Sequence, residues 1–285
     1  MAPHLNLEHI VWDRFGCLEP CQPGWLDDLS YWEDYTAAFF QSNGRAYRAE
    51  DSNVRGWLEA QDRAPFVRMA QVLLSRLAAQ TVFHDVEFVL LAHWLPDLHL
   101  GTSVTNFTMH HLGLEAAFGF AISDRGLAAP FVAFDCIDKY LQSGRRKALL
   151  MVMDQKHLLY YSPERASLSP DNNACIMLLE RRSTPGLTYL GYRRLVLASP
   201  PSVYDSCLAI MASLSLRSRR TTIITSDLLI ASLTLPAHMV TADRHLVCAA
   251  PFAALSEILA PNRDYLLLAR DAQAVCGVAF RSAEA

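Results

Sequence analysis

The sequence predicts an α/β protein in which a buried sheet is covered by helices. Continuous apolar runs of strand length recur along the chain, such as VEFVLLA at 86–92 and KALLMVM at 147–153. Such runs are typical of strands that are covered on both faces. Segments with apolar residues at helical spacing separate these runs. The alternation of the two kinds of segment is the pattern of an α/β fold.

The composition excludes several classes of protein. The chain has 285 residues, of which 52% are hydrophobic and 19% are charged, and its formal net charge is −4. So large an apolar fraction excludes a disordered chain, and the acidic balance argues against nucleic acid as the main partner. No apolar run is long enough to cross a membrane. Residues 1–16 lack a basic region followed by an apolar block, so we expect a cytoplasmic protein.

The seven cysteines do not have the spacing of a metal site. Most of them lie inside apolar stretches, where a free thiol behaves as a small hydrophobic group. Cys17 and Cys21 have the spacing of half a zinc site, but no second Cys/His pair follows at zinc spacing. The sequence therefore predicts no bound metal.

The first half of the chain, residues 1–155, begins with an aromatic-rich segment. Residues 1–63 contain GWLDDLSYWEDYTAAFFQ and predict a helical or irregular cap over an apolar surface. The periodicity of the remainder predicts helices over 64–80, 102–114 and 126–144, and strands over 86–94, 116–123 and 147–155.

The second half, residues 156–285, repeats this alternation less regularly. We expect two βαβαβ-like halves, joined near residues 150–165. The second half predicts strands over 172–181, 187–199, 221–226, 265–271 and 275–282, and helices over 202–216 and 248–260, with the last two strands forming a hairpin that turns near Asp271 and Ala272.

Four stretches keep the order and spacing of a known family. They are 86–114, 116–153, 171–181, and 244–259 followed by 265–280. Together they resemble the thiolase superfamily, in particular β-ketoacyl-ACP synthase III-like proteins, from about residue 64 to the end of the chain. The resemblance implies a duplicated five-layer αβαβα sandwich. It also implies a dimer with strands paired across the interface, as a homodimer or as a heterodimer with a ketosynthase-like homologue.

The chemistry implied by the resemblance is acyl transfer from a thioester of coenzyme A or of an acyl carrier protein, with no tightly bound cofactor. In the family a Cys nucleophile lies at the N-terminus of the buried helix, where the helix dipole stabilises a thiolate. If Gly126 aligns with the family's glycine, Asp124 takes the Cys position and Ser123 precedes it. Ser226 falls at the family's His, and His245 falls on or beside the family's Asn.

These residues leave several roles open. Asp124 is an N-cap or relic, an acid/base group, or, least favourably, a nucleophile, since it would give an anhydride. Ser226 is a strand-end residue or a catalytic one. His245 is a polar residue at a helix entry or a carbonyl-polarising base. Together with Ser123 beside Asp124, they form a hypothetical acid/base site.

Three functions are therefore compatible with the sequence. The first is a ketosynthase III-like acyltransferase of fatty-acid or polyketide-type specialised metabolism, with Asp124 as its acid/base group. The second is a non-catalytic partner subunit of a Cys-containing homologue. The third is an acyl (thio)ester hydrolase or cyclase that uses Asp124 and His245.

Two further features concern the partners of the protein. A basic cluster is a candidate contact for an acyl carrier protein or a solvated surface, and it consists of Arg217, Arg219 and Arg220. The aromatic residues of the cap pack as core, extend a dimer surface or cover an acyl tunnel, and they are Trp25, Tyr31, Trp32, Tyr35, Phe39 and Phe40.

Overall fold

The computed structural model describes residues 2–181, 186–197, 202–258, 260–271 and 273–283. Ten strands are formed by these residues: β1 His4–Phe15, β2 Phe88–Ala92, β3 Phe118–Ile122, β4 Lys147–Asp154, β5 Asn172–Glu180, β6 Leu187–Val196, β7 Thr221–Thr225, β8 His238–Thr241, β9 Asp264–Arg270 and β10 Ala274–Ser282. The α-helices are α1 Leu29–Ser42, α2 Val54–Glu59, α3 Phe66–Ala78, α4 Val104–His111, α5 Ala129–Gln142, α6 Pro163–Leu168, α7 Val203–Ser213, α8 Asp227–Ile230 and α9 Ala250–Glu257.

The strand order shows that the fold is duplicated. The strands form one continuous ten-stranded sheet in the order β3-β2-β4-β5-β1-β6-β10-β9-β7-β8, so the first five and the last five follow the same order in opposite directions. We call the first five strands of this order the first sheet and the last five the second sheet. In each half the second strand pairs in parallel with the third and fourth, and the fifth pairs antiparallel with the fourth and first. Helices α5 and α9 occupy equivalent places, and both start with the sequence AAPF, at 128–131 and 249–252. The predicted duplication is confirmed.

The strand pairing places the end of the first half later than the sequence predicts. The sequence predicts a division at residue 155, whereas β5 pairs antiparallel with both β4 and β1 and so completes the first half. Residues 4–15 of the predicted cap form β1, next to the centre of the strand order. The strand was not recognised because polar residues interrupt its apolar pattern, HLNLEHIVWDRF. The cap proper consists of α1, α2 and their connections.

The two halves pack as five layers, as predicted. Along β4, Leu149 and Met151 face α3 and α4 on the outside, while Leu150 and Val152 face the inner layer. This alternation follows from the period of two in a strand. The inner layer contains α5 and α9 and lies between the two sheets, where the rings of Phe134 and Phe252 stack at 5.4 Å. The layer order is α3/α4, first sheet, α5/α9, second sheet, α7/α8.

The second sheet shows the same alternation. Leu266 and Leu268 of β9 pack on the outer cluster with α7, and Leu267 packs into the inner layer. The predicted final hairpin is formed by β9 and β10, and Asp271 accepts hydrogen bonds from the backbone at its turn. Ala272, predicted at the same turn, lies outside the described residues. Within the described ranges, no helix is long and apolar enough to cross a membrane.

Gly186 is predicted to be essential where the two sheets join. Its φ is 136°, and an added Cβ would lie 2.4 Å from the carbonyl oxygen of Leu5 and 3.0 Å from the Cα of Asn6. We therefore expect Gly186→Ala to lower the free energy of unfolding by more than about 2 kcal/mol. Urea denaturation followed by circular dichroism measures this loss. Gly101→Ala is the control, because an added Cβ there meets open space, and equal stabilities of the two variants would contradict the prediction.

Candidate functional site

A cavity of about 440 Å³ lies at the carboxyl ends of the parallel strands β7 and β9. Its other side is closed by one 3₁₀ turn from each half, Gly126–Ala128 and Arg244–Ala249. Ligands of α/β sheets bind at the carboxyl ends of parallel strands. We call this space the junction cavity. Much of its wall is apolar, with Leu127, Leu168, Val247, Pro251 and Leu268, and its polar groups include Ser226, Asp227, Arg244 and Arg270.

The two turns are equivalent under the duplication and meet each other. Counted from the AAPF sequences, Gly126 corresponds to Val247, and both have a positive φ, of 52° and 47°. Glycine adopts this conformation without strain, whereas a β-branched valine does not. The thiol of Cys248 donates to the carbonyl oxygen of Gly126 at 3.6 Å. The two halves are thus in contact at the starts of α5 and α9. The strained residue, Val247, lies on the cavity wall.

Asp154 holds this contact in place from the end of β4. Its side chain is fully buried and accepts backbone hydrogen bonds from Trp94 (2.9 Å), Leu95 (2.8 Å) and Cys248 (3.0 Å). Burial raises the pKa of Asp154 to about 6, although the three N–H donors oppose the rise. Burial and the neighbouring Asp154 also raise the pKa of Cys248 well above its usual range. Cys248 therefore stays a neutral thiol, which is a poor nucleophile.

Comparison with known proteins identifies the fold. No family model matches the chain, and no curated protein matches its sequence. Solved structures do match over the whole chain. The tetronic acid condensing enzyme AbyA1 has a TM-score of 0.66 and 11% identity, with 98% of this chain and 100% of that chain covered. The acyltransferase ChlB3 has a TM-score of 0.64 and 15% identity, with 100% and 98% covered.

A third solved structure also matches nearly the whole chain. OleA of Xanthomonas campestris with bound lauric acid and lauroyl-CoA has a TM-score of 0.64 and 15% identity, with 98% of both chains covered. The chain has the thiolase fold. At these identities the likeness shows the fold alone.

Within the thiolase fold, Asp124 and Ser123 lie in the short connection between β3 and the start of the buried helix. Both residues are exposed, and 73% of the Asp124 side chain is accessible, with its carboxylate 3.6 Å from the guanidinium of Arg125. The helix starts with the turn at Gly126, whose N-cap position is Arg125. The N-cap role considered for Asp124 is therefore wrong, since Asp124 precedes the cap by one residue.

The other two predicted residues lie in different surroundings. Ser226 lines the junction cavity just after β7. His245 lines a separate polar cavity with Lys156 and Arg165, and its Nδ1 is 2.8 Å from the carbonyl oxygen of Ser169. Neither Asp124 nor His245 lines the cavity of Ser226. The structure thus brings Ser226 to the junction cavity and does not bring the three predicted residues together.

Strand β3, which ends at Ile122 two residues before Asp124, forms an edge of the thiolase fold with unusual apolar exposure. It pairs on one side with β2 and is the first strand in the order. Phe118 and Phe120 are 57% and 37% exposed, and Phe118 stacks on Phe88 at 6.2 Å. An exposed apolar edge strand is a template for pairing with another chain, and β3 presents five residues for such pairing. The basic cluster at 217–220 lies elsewhere, in a 3₁₀ turn before β7.

Asp154 is a site residue that the sequence patterns left unpredicted, although a signal was present. It is the charged residue that ends the strand KALLMVMD, after seven residues that are also buried. A carboxylate in such a position needs buried partners. The sequence shows no sign of which residues supply them, because Trp94 and Cys248 come from distant segments.

The contribution of Asp154 to stability is expected to depend on pH. Its pKa of about 6 exceeds the ordinary value of 3.8, so between these pH values the folded chain holds a proton that the unfolded chain has released. By linkage, the free energy of unfolding falls as pH rises from about 4 to about 6. Urea denaturation at several pH values should show this fall, and Asp154→Asn should remove it. Parallel pH profiles of the two proteins would contradict the assignment.

Proposed function

We propose that the chain is a thiolase-fold subunit of an acyl-transfer system that leaves the covalent step to a partner with a Cys nucleophile. One observation carries the proposal: the two helix starts present the aliphatic side chains of Leu127 and Val247 to the junction cavity. The thiol of Cys248 lies beside them but is buried and neutral. A cavity with such walls can hold an acyl group but offers no thiolate to attack it.

The junction cavity supports binding of an acyl group. Its volume of about 440 Å³ is in the range of small-molecule sites. Leu127, Pro251 and Leu268 supply an apolar wall for a hydrocarbon chain, and the exposed Arg244 supplies a positive charge for a phosphate. We infer that the ligand is an acyl group on coenzyme A or on an acyl carrier protein, within cytoplasmic fatty-acid or polyketide-type specialised metabolism. OleA, which has the same fold, was solved with lauroyl-CoA.

The partner is proposed to bind along β3. Among the described residues the strand pairs on one edge only, and the exposed rings of Phe118 and Phe120 would leave water when a second strand pairs with the other edge. We favour a Cys-bearing chain of the same fold as the partner over a second copy of this chain. In a homodimer, neither junction cavity would contain an ionised cysteine that could attack an acyl group. Asp124 follows this strand by two residues, so the interface would also cover it.

Phe118→Lys is expected to weaken the complex. We expect a 1:1 heterodimer with a Cys-bearing ketosynthase-like homologue on size-exclusion chromatography with light scattering, and at least about a tenfold higher Kd for the variant, because pairing would bury the lysine charge. Tyr31→Lys on α1 is the control, since Tyr31 is exposed to a similar extent, at 62% against 57% for Phe118, but lies outside β3. A homodimer in place of the heterodimer, or equal effects of both variants, would rule out this assignment.

A second candidate function is acyl transfer with Asp124 as acid/base group. The observation that favours it is the position of Asp124, between the proposed interface strand and the buried helix. In the complex, Asp124→Asn should leave turnover unchanged if the chain is a non-catalytic partner, whereas loss by about 10²-fold or more would support the acid/base role. His245→Ala tests the hydrolase or cyclase alternative in the same assay, with release of free acid as the readout.

A further inference from the structure

A second cavity, of about 190 Å³, lies in the first half, between the cap and the loops that follow β2 and β4. These strands correspond to β7 and β9 under the duplication, but the described lining of this cavity lies in the cap and in loops, whereas Thr225 and Leu268 at the strand ends line the junction cavity. Its walls come from the loop after β2, with Pro96 and Asp97, and from the loop after β4, at 157–160. Helices α1 and α2 cover it. We call it the cap cavity.

Four aromatic side chains line the cap cavity: Tyr35, Phe39, Trp57 and Tyr160. Phe39 and Tyr160 stack at 5.8 Å with their planes 23° apart. Tyr35 and Phe39 remain 41% and 44% exposed, which places them at the mouth. Helix α1 supplies both mouth residues because they are four positions apart and so lie on one face of the helix.

The carboxylate of Asp97 lies in the wall of this aromatic cavity with half of its hydrogen-bonding capacity unused. Oδ1 accepts from the backbone N–H groups of Phe66 (2.9 Å), at the start of α3, and Leu98 (2.7 Å), and from the side-chain amide of Gln155 (3.3 Å). Oδ2 is buried and has no hydrogen-bond partner among the described residues. Burial raises the pKa of Asp97 above its usual value, because its donors and the nearby His99 compensate the carboxylate only in part.

The surroundings of Asp97 supply no cation within the cavity. In the part of the chain that the structure describes, neither Lys nor Arg lines it. His157 does, but its Nε2 bonds to the carboxylate of Asp62 at 2.6 Å, and burial lowers the pKa of His157 in spite of that partner. The cap cavity is therefore an aromatic space with an excess of negative charge.

We propose that the cap cavity binds a quaternary ammonium group. Such a group carries a positive charge but no N–H, so it compensates the Asp97 carboxylate by proximity and needs no hydrogen bond to the buried Oδ2. Its methyl groups pack against Phe39, Trp57 and Tyr160, and aromatic rings attract cations of this kind. A neutral apolar molecule would leave the carboxylate uncompensated, and an anion would be repelled. The site is separate from the junction cavity and independent of the proposed partner role.

Choline and its neutral isostere 3,3-dimethylbutanol test the proposal on the full-length chain. The two molecules have the same shape and hydroxyl group and differ only in the charge. Isothermal titration calorimetry at constant ionic strength should show saturable binding of choline, at least about tenfold tighter than that of the isostere. No saturable binding of choline, or equal affinities for the two molecules, would overturn the proposal.

Variants locate the binding site. Asp97→Asn keeps the oxygen that accepts from Phe66 and removes the charge, and Phe39→Leu removes a ring at the mouth while keeping its apolar character. Each should raise the Kd for choline at least about fivefold. Tyr31→Leu, on the same helix but outside the cavity lining, should leave it unchanged. Retention of affinity in Phe39→Leu decides against the site even if Asp97→Asn fails to fold.

Discussion

The carboxylate of Asp154 is the constraint on which the centre of this molecule depends. It accepts hydrogen bonds from backbone N–H groups in the loop after β2 and in the turn before α9. These two segments belong to different halves of the chain. Loss of the acceptor would leave buried donors unpaired, at about 1–3 kcal/mol for each. Because Cys248 is one of these donors, the same carboxylate fixes the segment that forms one wall of the junction cavity. Stability and the shape of the site are therefore coupled.

The fold was largely predictable because most strands are buried on both faces. The strands β4, β5 and β9 read as continuous apolar runs, which is the pattern that burial on both faces requires. Strand β1 was missed because its apolar positions are interrupted, and it is only partly buried. The end of the first half after β5 was also missed, since pairing with β1 joins residues far apart in sequence, and local patterns do not record such pairing.

The site was less predictable, because it depends on contacts between distant segments. The resemblance to β-ketoacyl-ACP synthase III-like proteins located the start of the buried helix to within a few residues, but the sequence could not show that Asp124 is exposed. The repeated AAPF was the signal that could have paired Gly126 with Val247 in advance. Each start contains a proline early in the helix, where the missing N–H is not needed. The repeat reflects a shared structural requirement.

The starts of α5 and α9 differ in backbone strain. At Gly126 the positive φ causes no strain, whereas Val247 adopts φ 47° and ψ −114° with a β-branched side chain, at about 1–3 kcal/mol. Such a conformation persists only if the neighbouring structure determines it, and the residue that follows, Cys248, is held by Asp154. The strained valine in turn contributes its side chain to the junction cavity. The second half therefore retains a strained residue where an acyl group is proposed to bind, which is where stored strain is expected in a site shaped for a ligand.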